Sequence, residues 1–136
     1  MGELNSSMRI SAAGLKAQGE RLRVISENIA NSGSTALTPD QEPYRRKLVT
    51  FGSALDRELG VNLVKVGPAG RDTSDFGLRY QPGHPAADDS GYVKISNVNT
   101  LVEMTDMREA QRSYEANLKV LQAARGMLSR TIDLLR

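Results

Sequence analysis

Apolar residues recur at helical spacing at both ends of the chain, and at strand-like density only between them. In the first segment Met8, Leu15, Leu22 and Ile29 fall seven apart, with Ala12 and Ile25 on the same side. Arg9, Lys16, Glu20, Arg21, Arg23 and Glu27 occupy the flanks, so the pattern predicts a one-sided helix that needs a partner. Asn31, Ser32 and Gly33 then supply residue types that tolerate left-handed backbone, which predicts the helix end and the loop GSTALTPDQEP after it. In the last segment Met107, Tyr114, Leu121, Leu128 and Leu135 are spaced by seven without a break, flanked by Leu101, Met104, Leu118, Ala124 and Ile132. Thr100 and Glu103 have capping-box spacing. Early Glu103, Asp106 and Glu109 and late Lys119, Arg125, Arg130 and Arg136 complement the helix dipole. A sustained seven-residue repeat favours supercoiling with other helices over packing on a sheet.

Between the helices, YRRKLVTF and VNLVKV are expected as short strands, with GLRY and YVKIS as weaker candidates. GPAGRDTSDFG and QPGHPAADDSG are rich in Pro, Gly and Asp and are expected as turns. Five of the six aromatic residues lie in this middle region, which places any compact module there. The expected fold is mainly α with a small β module: long N- and C-terminal helices in an antiparallel coiled-coil pair, joined by a short β-rich middle. Residues 1–31 and 100–136 are expected as the helical core domain and 32–99 as a small β/loop outer module.

Composition narrows the function classes. The net charge of +2 is spread as +1, 0 and +1 over residues 1–31, 32–99 and 100–136, without the concentrated basic face that nucleic acid requires. The only basic run, YRRK, reads as a solvated face. No segment approaches the roughly 20 apolar residues of a membrane-spanning helix. The N-terminus lacks the pattern of a secretory signal, which by itself gives a cytoplasmic reading. With no cysteine there is no disulfide, thiolate metal site or thiol nucleophile. The single histidine, His84, stands near Asp88 and Asp89 in a proline-bracketed turn, too few ligands for a zinc or hydrolytic site. No catalytic, cofactor-binding or metal residues are assigned, and no enzyme activity or cofactor is expected. The stripes are instead too large for a chain this short to cover, so association is expected.

The residues that carry those stripes resemble a known family. ISAAGLKAQGERLRVISENIANSGST, PYRRK, PGHPAADDSGYVKISNVN and LVEMTDMREAQRSYEANLKVLQAARGMLSRTIDLL are similar to stretches of the axial rod and hook proteins of the bacterial flagellum. The third stretch and the short middle point to a proximal rod member. The similarity covers nearly the whole chain and is least at residues 1–7 and 53–80. It implies a structural subunit that stacks helically with copies of itself and other rod proteins into a hollow drive shaft across the periplasm. It further implies contact with the rod base and the export apparatus during assembly, export without a cleaved signal, and neither nucleic acid nor membrane insertion. Terminal helices of the family pack around the central channel. The expected assembly interface is therefore Met8, Leu15, Leu22, Ile25, Asn28, Ile29 and Asn31 on the first helix. On the last it is Met104, Met107, Tyr114, Leu118, Leu121, Leu128 and Ile132. The alternative is a soluble coiled-coil adaptor in the cytoplasm.

Overall fold

The computed structural model describes residues 2–136. Two long helices, α1 (Gly2–Ala30) and α2 (Thr100–Leu134), enclose six short strands in sequence. The strands are β1 (Lys47–Leu48), β2 (Phe51–Asp56), β3 (Val61–Val66), β4 (Gly70–Arg71), β5 (Gly77–Tyr80) and β6 (Tyr92–Ile95). They form three antiparallel pairs: β1 with β4, β2 with β3, and β5 with β6. The fold is mainly helical with small sheet elements, as the hydrophobic periodicity predicts.

By internal contact the described residues form two compact units. One holds the chain through Leu22, Val49–Pro68 and Arg108–Arg136; the other holds Arg23–Leu48 and Ala69–Met107. This division differs from the expected separation of residues 1–31 and 100–136 from 32–99, because the β2–β3 hairpin groups with one part of the helices and the other strands with the rest.

In the first unit the helices run antiparallel. Gly14 faces Asn117, Gly19 lies opposite Tyr114, and Arg21 reaches Glu109 at 3.4 Å, so rising numbers on α1 meet falling numbers on α2. The seam is built from small residues. Ala110 and Ala124 are buried, and a methyl group added at Gly14 would stand 2.7 Å from the Asn117 amide. The deepest line of α2 is thus Ala110–Asn117–Ala124, while Tyr114, Leu121 and Leu128 stand about 40–60° round the helix, three or four residues away at about 100° each. The β2–β3 hairpin is tied to α1 by Arg9, which bonds Asp56 at 3.1 Å and Glu58 at 3.4 Å. Its turn closes on Gly60, whose φ of 66° suits glycine, while Asp56 Oδ1 accepts the Glu58 and Leu59 amides.

In the second unit Val24 and Ile25 are buried on α1, and Val93 is buried on the inner face of β6. The outer face of the β5–β6 hairpin carries the Tyr80–Tyr92 edge-to-face pair, with ring centroids 5.3 Å apart. Gly91, at φ 87°, completes the connection beneath Tyr80.

Several local expectations are corrected. Asn31, Ser32 and Gly33 close α1 without left-handed backbone: positive φ occurs, among the described residues, only at Gly60 and Gly91. The backbone amides of Asn31 and Ser32 instead tighten the last turn onto the Asn28 and Ile29 carbonyls, each at 3.2 Å, and the Asn31 side-chain amide adds a bond to the Glu27 carbonyl at 2.8 Å. The capping box is not what starts α2. Asn99 Oδ1 accepts the Leu101 amide at 3.1 Å, and Glu103 is turned into the core. YRRKLVTF contributes only Lys47–Leu48 as β1, and Phe51 opens β2. The full strand FGSALD carries little strand signal of its own because Gly52, Ser53 and Asp56 lower strand propensity, which pairing with all six residues of β3 overrides.

Candidate assembly interface

The second unit contains a polar junction that fixes the C-terminal end of α1 beside the start of α2. Its centre is Glu103, fully buried on the first turn of α2. The Arg46 Nε donates to Glu103 Oε1 in a short charged contact, and Asn28 Nδ2 lies 3.4 Å from Oε2. Asn28 is itself buried and fully used. Its Oδ1 accepts the Tyr44 hydroxyl at 2.6 Å and the Lys47 amide at 3.0 Å, and its Nδ2 donates to the Lys47 carbonyl at 2.9 Å. A side-chain amide paired with a backbone N–H and C=O in this way holds the YRRK segment against the helix much as a neighbouring strand would.

Asn97 completes the clamp by accepting the Arg46 amide at 2.7 Å and donating to the Asp72 carbonyl at 3.0 Å. Arg46 also reaches Asp72 at 3.4 Å and Asp106 at 3.5 Å, while Arg45 stacks 4.3 Å from the centre of the Phe76 ring. The hydrogen bond from Lys47 holds the Glu27 carboxyl below its ordinary range. Asp72 is likewise lowered, first by the Ser74 backbone amide and then by the Ser74 side chain. Burial raises the Tyr44 phenol above its usual value, with the Glu27 and Glu103 charges adding to the effect, so it remains a donor to Asn28.

His84 has a comparable structural use. Its Nδ1 accepts the Ala86 amide at 2.9 Å, which leaves Nε2–H to donate to Thr35 Oγ1 at 3.2 Å. Among the described residues no group of acidic and histidine side chains converges as a metal site would require, and no helix is long and apolar enough to cross a membrane.

The expected interface residues fall into three groups. Ile25 and Asn28 are buried within the chain, and Asn28 together with Asn31 makes its side-chain bonds internally. Met8, Leu15, Leu22, Ile29, Met107, Leu121 and Leu128 are half-buried. Met104, Tyr114, Leu118 and Ile132 are exposed. Sequence reasoning did not single out a further exposed line on α2, Val120, Met127 and Leu134, which are 49%, 53% and 86% exposed and spaced by seven. Its signal was present in the repeat with Ala116 and Ala123 between, but the stronger Met107–Leu135 series masked it. Glu103 and Arg46 were also missed. A buried ion pair joining residues far apart in sequence leaves no local periodicity, and each residue alone reads as an ordinary surface charge.

The small residues at the seam therefore let the helices approach closely and leave the larger aliphatic residues at its flanks and back. α2 presents apolar surface on more sides than one neighbouring helix covers. Such a helix suits packing among several others.

Known proteins are similar to the chain over most or all of its length. Residues 89–134 match the family described as flagellar basal body rod FlgEFG protein C-terminal. The flagellar basal-body rod protein FlgC of Agrobacterium fabrum is 54% identical over 136 residues, spanning 100% of this chain and 98% of that protein. The FlgC proteins of Bacillus subtilis and Salmonella typhimurium are each 38% identical, covering 94% and 92% of this chain and 95% and 92% of their own length. With identity of this order sustained from end to end, and both helices and the junction segment inside the matched region, the chain belongs to the FlgC family of flagellar basal-body rod proteins.

Proposed function

We propose that the chain is a structural subunit of the proximal rod, stacking helically with copies of itself and with other rod proteins into a hollow shaft that transmits torque and conducts exported subunits. The shaft crosses the periplasm, and the chain reaches it through the flagellar export apparatus without a cleaved signal, meeting the rod base as it assembles. It turns over no substrate. The observation that carries this reading is the exposed apolar surface of α2, above all Val120, Met127 and Leu134. Apolar area left in water forgoes roughly 25 cal/mol per Å², so burial by neighbouring helices is strongly favoured. At about 1.5 Å per residue, the 35 residues of α2 extend roughly 52 Å, giving each subunit a long seam over which to spread shear.

The half-buried and exposed residues named above, from Met8 and Leu15 to Leu128 and Ile132, are the proposed contacts. Asn28 and Ile25 act one step removed, by fixing where α1 ends. The adaptor alternative lacks support from relatives named as basal-body rod proteins.

The test is a strain whose only copy carries Val120→Glu. This exposed position tolerates charge in the free chain, so the purified variant should unfold in urea with an unchanged midpoint, yet it should be absent from isolated basal bodies and the cells should not swim. Incorporation at the normal level would remove this face from the interface. Absence of the unsubstituted chain from basal bodies would overturn the rod assignment itself.

A further inference from the structure

In the first unit an apolar groove of about 340 Å³ lies between α1 and the β2–β3 hairpin, floored by Ala13, Ala17, Ala54 and Leu63. Lys16 and Lys65 rim it, and neither makes an ion pair among the described residues. The volume is at the lower end of the roughly 300–1,000 Å³ of pockets that hold small organic groups, so the groove suits one or two inserted side chains and not a helix. The chain displays a segment of matching character elsewhere. The loop of residues 36–42, ALTPDQE, carries Leu37, which is 79% exposed, followed by the exposed acids Asp40 and Glu42. Among the described residues Glu42 is held only by Arg45 at 3.6 Å, and none in the second unit covers Leu37.

We infer that the Leu37 loop of one subunit docks into the groove of a second copy, with Leu37 on the alanine floor and Asp40 and Glu42 meeting Lys16 and Lys65. The inference rests on the rod reading and names one of the contacts that reading requires. The dimensions agree. Asp40 lies three residues beyond Leu37, at most about 10 Å of extended chain, and on the groove Lys16 adjoins Ala17 while Lys65 is two residues from Leu63. Pro39 between the apolar and acidic residues restricts the loop and lowers the entropy lost on docking. The aliphatic insertion provides the contact, and the charges fix its orientation. Because loop and groove are different surfaces of one chain, the contact can be repeated head to tail from copy to copy, as a ring or a helix requires.

The absence of native cysteine allows a direct test. Cells carrying only the Leu37→Cys, Ala54→Cys double variant should yield basal bodies in which mild oxidation links two or more copies of the chain, since disulfides need Cα atoms within roughly 7 Å. Each single variant should give no such ladder. A double variant present in basal bodies but remaining monomeric, or linked only within its own chain, overturns the inference and leaves the rod reading standing. A chain missing from wild-type basal bodies defeats the rod reading instead. Should the cysteines themselves block assembly, charge exchange decides: Lys16→Glu with Lys65→Glu should reduce the swimming ring at least twofold, and adding Asp40→Lys with Glu42→Lys should restore it. Undiminished swimming of the first pair, or no recovery with the second, overturns the inference.

Discussion

Arg46→Met should destabilise the free chain severely, and adding Glu103→Leu should recover most of the loss. The perturbation removes the guanidinium that faces a carboxylate with a side-chain exposure of 1%. What remains near Glu103 is the Asn28 amide at 3.4 Å, a long and weak bond for an ion. Breaking a buried pair on one side costs about 3–5 kcal/mol, and because the Arg46 side chain is itself 21% exposed the expected value is at the lower end, about 3 kcal/mol. At a urea dependence of about 1–3 kcal/mol per molar, that moves the unfolding midpoint down by about 1–3 M. Far-UV circular dichroism during urea titration reads the change. The double variant no longer buries an unpaired charge, and apolar replacement of a buried pair is often neutral, so its midpoint should return most of the way. Two results refute the reasoning. A midpoint shift below about 0.5 M for Arg46→Met would mean that Glu103 is hydrated in solution, and a double variant no better than the single would mean that the loss came from packing.

Two helix glycines should respond oppositely to alanine. Gly126 has open space where a methyl group would stand, so Gly126→Ala should raise stability by about 0.5–1 kcal/mol, whereas Gly14→Ala pushes against Asn117 at 2.7 Å and should lower it, both read in urea titrations. Acid should loosen the second unit. Glu27 and Asp72 are held below ordinary carboxylate values, so their contribution is present at neutral pH and lost as pH falls through about 4 and below, and Lys47→Met should flatten the Glu27 part of that profile.

The sequence by itself determined the two terminal helices, their need for partners, the expectation that the middle forms only small sheets, and the kinship with flagellar axial proteins. These are local or repetitive signals. A seven-residue series such as Met107–Leu135 records a helix whatever it packs against, and GLRY and YVKI show strand character in their own side chains. Which side of each helix faces inward was decided only in three dimensions. Helices approach where side chains are small, so Gly14 and Gly19 face α2, Ala110 and Ala124 are buried, and the bulkier stripes were displaced to the flanks. The fate of YRRK and of Glu103 was likewise tertiary. A solvated basic run and a capping carboxylate are the expected readings of isolated charges, and only folding brings Arg46, separated from Glu103 by 57 residues, to the one position where burying both is tolerable. The asparagine-rich helix end follows the same logic. Its composition marked a stop, but Asn28 became the fastening point of the junction because its amide could satisfy a backbone N–H and C=O that arrived from elsewhere in the chain.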